Sequence, residues 1–492
     1  MNASPRLLRP LGPCEMYSSS RHALGFYKCV ANTCRYSVPL ATLGGHALRD
    51  VLEAAVANIV LAFPSLSVGI AAENTSKPHF VQQLSIDLEH HVEYLERAET
   101  DPDTRDSALL SLLEDQHDQS WPDIEHRPPW KLIIVVWDQT PGSGLLLLDV
   151  VFAVHHSLAD GRSTALFHTK LLDELNNPTG RPSQLSGRIL DTKNLDKLVQ
   201  PQEELVKFTA SWSFLGRTLW RELGPRWLQG QQPTVPWTGK PITREPCRTR
   251  LRLVTVPAVA TPHVLDACRA NQITLTPLLH ALSLASLARR VPAEQAQAFR
   301  GATPIDLRPF IDSSSQPEPG KKPFGVFVTG QFHTFDASTI ATLREAVADD
   351  KIWGIAAELR RDMKQHLETV PKDDIIGMLG WVSDWRQFWL SKVGKPRLDT
   401  WEVSNLGSMV GGHGPGEQAT EGWKIQRSIM SQGASVAGAV VYISVAGVTG
   451  GDLSLALGWQ EGIVDEEMVT GLAEDLQIWL DRLGRNERLI QN

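Results

Sequence analysis

The chain has 492 residues, 42% of them hydrophobic and 15 of them tryptophan, which is more than one ordinary domain holds and enough for two sizeable cores. A formal charge of −8, with no Lys/Arg run long enough to follow phosphates, argues against a nucleic-acid partner. Five cysteines without a CxxC make no disulfide framework, no apolar run reaches the ~18 residues of a membrane span, and Met1 to Arg6 lacks the apolar segment of a secretion signal, so a soluble, cytoplasmic protein with reduced thiols is expected.

Phe26 to Tyr36 reads as a strand rich in Tyr, Phe, Val and Thr. Leu48, Val51, Leu52, Ala55, Val56, Ile59 and Val60 recur at helical spacing within Leu43 to Phe63, and Pro64 ends that helix. His90-His91, beside Glu93, reads as polar, helical and solvated. Lys131 to Trp137 and Leu145 to Val154 are strands of a hairpin about the turn Pro141 to Gly144. Thr164 to Leu175 is helical, with Leu166, Phe167, Leu171 and Leu172 on one face. Pro178 to Pro246, rich in Pro, Gly, Gln and Trp, reads as a long crossover with a helix near Glu203 to Leu223 and an extended stretch at Pro233 to Pro241. Thr249 to Val256 resumes as a strand. Helices follow at Pro262 to Ala270 and Thr276 to Arg290, with Thr276 as N-cap and Pro277 at the first helical position. Strands at Ala302 to Leu307 and Gly325 to Phe335, a helical stretch at Ala337 to Leu367 and a short strand at Trp401 to Ser404 come next. A hairpin of Ala439 to Val448 with Leu453 to Gln460 and a closing helix at Asp465 to Leu483 complete the chain. Each half mixes strands and helices without strict βαβ alternation, so two α/β domains with mixed sheets are expected: 1–190, a linker at 191–246, and 247–492.

The stretch that carries chemistry is His155-His156-Ser157-Leu158-Ala159-Asp160-Gly161, an HHxxxDG sequence at the end of the apolar run Leu145 to Val154. Histidine, with an ordinary pKa of ~6.5, suits proton transfer at neutral pH, and taking a proton from a hydroxyl, amine or thiol is the expected role. Neighbours on a strand point to opposite faces, so only one of the two histidines faces a given cavity. That argues against two ligands converging on a zinc ion, and with no HExxH or cysteine cluster no metal is expected. Gly433-Ala434-Ser435-Val436-Ala437 misses the GxSxG nucleophile elbow at its last position. No GxxxxGK[ST] occurs, and Gly411 to Gly416 reads as a mobile loop and not a phosphate cradle.

HHxxxDG resembles the signature of the acyltransferase superfamily that includes chloramphenicol acetyltransferase, the BAHD acyltransferases and the condensation domains of peptide synthetases. The resemblance is closer to the fungal and yeast alcohol acetyltransferase branch and runs through nearly the whole chain. It is carried by Leu11 to Glu15, Ser20 to Phe26, the motif with Ser163, Phe167 and His168 to Leu172, Pro236 to Gly239, Leu275 to Leu282, Val403-Ser404-Asn405-Leu406-Gly407 and Gly450 to Leu453. The BAHD sequence DFGWG is missing.

The resemblance implies two chloramphenicol acetyltransferase-like domains with a tunnel between them. It implies His156 as general base at mid-tunnel and direct transfer through a ternary complex, with acetyl-CoA or another acyl-CoA as co-substrate and no tightly bound cofactor. Asp160 is then structural and paired with an arginine: Arg308, in the sequence Pro304 to Pro309, is favoured, and Arg21 is the alternative. His155 and Gly161 support the loop. Ser404 is a candidate oxyanion donor and Asn405 a substrate-orienting residue, although Ser-Asn before Gly407 also suits a plain turn. The segment Trp381 to Trp389, with Trp381, Trp385, Phe388 and Trp389 at helical spacing, packs between domains or lines an acceptor cavity. A monomer is expected. The acceptor is a small alcohol or a hydroxyl of a specialised metabolite. Two further readings stay open: a carrier-protein donor with O- or N-acylation, and a non-catalytic fold relative.

Overall fold

The computed structural model describes residues 6–137, 144–194, 197–223, 235–312, 322–412 and 422–490. The turn residues Pro141 to Ser143, the start of the extended stretch at Pro233, and Gly414 to Gly416 of the glycine-rich segment lie outside them.

The strands of the two large sheets are β1 (Val30–Pro39), β2 (Val92–Arg97), β3 (Trp130–Trp137), β4 (Leu145–Val154), β5 (Thr249–Val256), β6 (Phe299–Asp306), β7 (Val328–Phe335), β8 (Trp401–Val410), β9 (Lys424–Gln432), β10 (Val441–Thr449) and β11 (Leu453–Gln460). The first sheet runs β9-β1-β4-β3-β2 and the second β5-β11-β10-β8-β6-β7. Both are mixed: β2 lies parallel to β3, and β8 parallel to both β6 and β10, while the other pairs are antiparallel.

Strand β4 is central, so both its faces are covered and its sequence is an almost unbroken apolar run. Its one charge, Asp149, is buried but paired: Arg35 donates to it at 3.0 and 2.7 Å, and Trp137 Nε1 at 2.7 Å. Four helices position the site: α1 (Pro13–Ala23), α2 (Gly161–Asn176), α3 (Leu275–Arg290) and α4 (Trp385–Leu390). Phe152 of β4 stacks on Phe167 of α2 at 3.9 Å between ring centres, which fixes the helix that follows the motif against the strand that precedes it.

Strand β8 shows how the halves share a face. Trp401 and Val403 point into the core of the second half, whereas Leu406, on the opposite face, joins the core of the first. Strand β9 goes further: it belongs to the second half of the chain yet pairs with β1 in the first sheet, from Lys424↔Ser37 to Gln432↔Val30.

Several sequence expectations shift. The strand read from Phe26 begins at Val30, and the stretch from Ala337 is two helices, Ala337–Glu345 and Asp349–Thr369. The helix near Glu203 is likewise two, Gln202–Leu205 and Trp212–Leu223. Helix α3 takes Thr274 as its N-cap, not Thr276. The strand at Trp401 is ten residues long, not four. His91 is buried, not solvated, because its ring lies 4.4 Å from that of Trp130 and its Nδ1 bonds the Trp130 carbonyl at 2.9 Å.

Candidate active site

Strand β4 ends at Val154 and delivers two histidines in succession. The backbone N–H of His155 donates to the Pro129 carbonyl at 2.9 Å, which ties the strand end to the start of β3. The His155 ring is then fixed from both sides. Its Nδ1 accepts the Ser157 N–H at 3.0 Å, so the proton of the neutral ring belongs on Nε2, which lies 3.3 Å from Glu73 Oε1. Both Glu73 oxygens also lie 3.0 Å from His22 Nδ1 on α1. Burial works against the Glu73 charge, but the hydrogen bonds from the two histidines hold its carboxyl down to about 2. Burial depresses His155 to about 4 despite Glu73, so a neutral ring faces a carboxylate.

His22, Glu73 and His155 place three ligand-type atoms within 4.8 Å of one another. The donor set does not fit a cation. His155 already uses Nδ1 as an acceptor, and a neutral imidazole has no second lone pair to offer at Nε2. Glu73 also forms part of the wall of a cavity of about 260 Å³ bounded by Met16, Ser20, Leu24, Trp385 and Arg386.

His156 differs in every respect. It lies deep in the molecule yet keeps some accessible surface. Its Nδ1 is buried without a hydrogen bond to another residue, and its own carbonyl lies against the ring. Tyr27 is beside it, with 5.8 Å between ring centres. Burial, and after it the positive charge of Arg21, depress His156 to about 4, so the ring is neutral at physiological pH.

Asp160 turns away from this ring. It is the N-cap of α2, accepting the Ser163 N–H at 2.8 Å, and it also accepts the Phe327 N–H at 2.9 Å. Arg308 grips it with Nη1 at 2.9 Å and Nη2 at 3.0 Å. Burial opposes ionisation of Asp160, but the Arg308 charge and these hydrogen bonds hold its carboxyl below the ordinary range. The guanidinium also donates to Ser163 Oγ, Asp306 and the carbonyls of Pro323 and Gly325, which binds the motif loop to the second half. Of the two candidate arginines, Arg308 is the partner. Arg21 sits elsewhere, stacked between Tyr17 and Tyr27.

Gly161 has ordinary backbone angles, and its role is close packing. A Cβ there would lie 2.8 Å from Met430 Cε of β9 and 2.9 Å from Leu406 Cδ2 of β8. Arg162, the next residue, donates to the Leu406 carbonyl. Ser404 and Glu402 share the face of β8 opposite Trp401 and Val403. Ser404 is buried, and burial pushes Glu402 up to about 7, with Asp399 adding to the rise. Gln432 Nε2 donates to Glu402 Oε1 at 3.0 Å.

Asn405 faces the other way. It donates to Thr276 Oγ1 on α3 at 3.1 Å and accepts the Gly407 N–H at 2.8 Å, across the irregular stretch of β8 where Gly407 adopts φ +73°. Its side chain thus braces the strand that carries Ser404. In the aromatic segment, Trp385 and Trp389 are buried against Leu24, Phe26 and Val436, whereas Trp381 is exposed.

Sequence reasoning passed over Glu73, His22, Tyr27 and Glu402. Glu73 sits in a polar loop that reads as surface. Glu402 did leave a signal: a charge between Trp401 and Val403 in an alternating strand must point at the opposite face.

Residues 100–475 match the family model for alcohol acetyltransferase. The chain belongs to the alcohol acetyltransferase family. It is 32% identical over 491 residues to "Probable alcohol acetyltransferase FCK4" of Fusarium pseudograminearum, covering 99% of this chain and 97% of that one. It is 26% identical to "Probable alcohol acetyltransferase crmB" of Aspergillus fumigatus, over 92% of this chain and 95% of the relative. Its fold is that of the two-domain chloramphenicol acetyltransferase-like enzymes. The TRI3 trichothecene 15-O-acetyltransferase of Fusarium sporotrichioides superposes with a TM-score of 0.69 at 11% identity, over 98% of both chains. The condensation domain of the monacolin K polyketide synthase MokA superposes at 0.57 and 14% identity, over 99% and 100%. Family and fold together make this chain an acyltransferase. Among the described residues no helix is long and apolar enough to cross a membrane.

Proposed function

We propose that the chain is an acyl-CoA-dependent O-acyltransferase, with acetyl-CoA as donor and a small alcohol or a hydroxyl of a specialised metabolite as acceptor. The observation that carries this reading is the contrast between the two motif histidines. His155 is fully buried, with Ser157 bonded to its Nδ1 and the Glu73 carboxylate 3.3 Å from its Nε2, whereas His156 is deep, neutral and accessible.

With its proton on Nδ1, beside its own carbonyl, His156 presents the Nε2 lone pair to the acceptor hydroxyl. As the hydroxyl proton moves to Nε2, the oxygen attacks the thioester carbonyl. The tetrahedral intermediate collapses, the C–S bond breaks, and the proton passes from Nε2 to the departing CoA thiolate. The ester and CoA thiol are the products. General-base assistance of this kind contributes ~10²–10⁴-fold, and alignment of the two reactants adds to it. Ser404 is the donor to the oxyanion, and Asn405 acts by holding the backbone beyond it. Asp160 and Arg308 fix the loop and do not touch the reactants.

The test is calorimetric titration of the purified chain with acetyl-CoA, followed by CoA release with a panel of alcohols, using His156→Ala as control. Micromolar to sub-millimolar binding with His156-dependent release supports the reading. Folded protein that ignores acetyl-CoA but accepts an acyl group from a carrier-bound phosphopantetheine arm moves the donor to a carrier protein. Binding without transfer from either donor points to a non-catalytic relative.

A further inference from the structure

Arg21, in the last turn of α1, forms no ion pair among the described residues. Its guanidinium carbon lies 4.3 Å from the ring centre of Tyr17 and 4.8 Å from that of Tyr27. The two rings hold the flat group in place and leave its edges for hydrogen bonding. Those edges are barely used. Nε is buried with no partner, and Nη2 makes a single long contact of 3.5 Å with Ser18 Oγ.

The nearby carboxylates are engaged with other groups. Asp160 is gripped by Arg308, Glu15 by Arg9 at 2.7 and 2.8 Å, and Glu73 by the two histidines. Glu402 feels the Arg21 charge from β8, but it is held by Gln432, and among the described residues no ion pair joins it to Arg21. Arg21 is partly buried and its Nε is shut off from water without a partner, and its fork of donors matches a carboxylate.

The location is informative. Tyr27, which forms one side of the stack, also lies beside His156, and its hydroxyl is buried with no hydrogen-bond partner. Two unsatisfied donors thus stand next to the catalytic ring. CoA phosphates are an unsuitable occupant, because a thioester carbonyl placed at His156 keeps the phosphates a pantetheine arm away.

We propose that Arg21, with the Tyr27 hydroxyl, is an anion subsite of the transfer chamber that takes a carboxylate carried by one of the two reactants. The carboxylate belongs either to the acceptor, as in a hydroxy acid, or to the acyl group, as in a malonyl-type half-thioester. This rests on the reading that transfer occurs at His156.

The experiment is calorimetric titration of the full chain with 3-hydroxybutanoate against 3-hydroxybutanamide, with and without saturating acetyl-CoA, and with malonyl-CoA against acetyl-CoA. At least tenfold tighter binding of the carboxylate form is expected in one arm. A preference for the hydroxy acid in the acetyl-CoA-loaded protein assigns the acceptor, and a preference for malonyl-CoA assigns the acyl group. Arg21→Met removes the preference, and Tyr27→Phe weakens it about threefold or more. If Arg21→Met does not fold, Arg21→Lys decides: a lone ammonium reduces the preference. Equal binding of charged and neutral forms in both arms of the wild-type protein, or a preference unchanged in the Arg21 variant that folds, overturns the proposal. Because the readout is binding, this outcome is separate from the acetyl-CoA turnover that tests the function itself.

Discussion

Replacing Arg308 with Met keeps the length of the side chain and removes the charge. Asp160 then loses the contacts at 2.9 and 3.0 Å but keeps the N–H donors of Ser163 and Phe327. A carboxylate left in the interior without its cation costs ~3–5 kcal/mol. At ~2–4 °C per kcal/mol for a domain of this size, the melting temperature at pH 7 should fall by about 6–20 °C. Asp160→Asn should cost less. Asparagine still caps α2, and Arg308 still has Asp306, Ser163 and the carbonyls of Pro323 and Gly325. The pH dependence follows from the direction of the shift. In the wild-type protein Asp160 is held below the ordinary carboxylate range, so its pairing stabilises above that range and is lost as pH falls through the folded value. In Arg308→Met the charge that opposed burial most is gone and only the Ser163 and Phe327 N–H groups still favour the carboxylate, so the carboxyl rises, protonation relieves the strain and the deficit shrinks from pH 7 to pH 5. Thermal unfolding of both variants at the two pH values measures this. An Arg308→Met shift below about 2 °C, or one independent of pH, refutes the view of the pair as the clamp between the halves.

Four further outcomes are expected. The acid limb of kcat/KM should lie near 4, because His156 loses its lone pair on protonation and burial with Arg21 holds it there; a limb at ~6.5 in a pH–rate profile contradicts this. Ser404→Ala should lower kcat by roughly 10²–10³ with little change in KM, measured as CoA release. Glu73→Gln removes the charge that anchors two histidines and should lower kcat by roughly tenfold or more while acetyl-CoA affinity holds; equal effects on both would make Glu73 merely structural. Gly161→Ala forces Met430 and Leu406 aside and should destabilise by ~1–3 kcal/mol in chemical unfolding.

Elements with a clean period were legible in the sequence: Thr249–Val256 and Leu453–Gln460 are strands over the limits expected, and the hairpin partner Val441–Thr449 shifts by two residues or fewer. Strand β9 was not legible, and the reason is chemical. Its Arg427, Ser428 and Ser431 are buried, a pattern that reads as loop in isolation. Each is satisfied by a residue hundreds of positions away: Arg427 by Asp106, Ser428 by Asn32 and Ser431 by His117. Local patterning cannot show a polar strand whose partners are remote. Glu73 was hidden for the same reason. A single charged residue in a turn has no period, and only the fold sets it against His155. Arg21 was legible as a candidate partner of Asp160, but only the fold sets it against Tyr17 and Tyr27 instead.

The division of labour between the two histidines follows from connectivity alone. Adjacent residues just past a strand end diverge: the His155 ring packs against His22 near Glu73, and the His156 ring lies beside Tyr27 and keeps accessible surface. On the inward ring Ser157 bonds Nδ1 and the Glu73 carboxylate lies 3.3 Å from Nε2. A ring so fixed cannot exchange a proton without breaking a buried contact. It can, however, hold the backbone from which its neighbour projects. The outward ring has only its own carbonyl, so its proton can shift at little cost. Asp160 would draw positive charge onto His156, but the Arg308 pair cancels most of that pull, while the uncancelled charge of Arg21 pushes the other way. The result is an imidazole kept neutral and weakly basic. In the proposed transfer that suits a hydroxyl activated only as the thioester carbonyl comes within reach, because a weak base returns its proton readily to the departing thiolate.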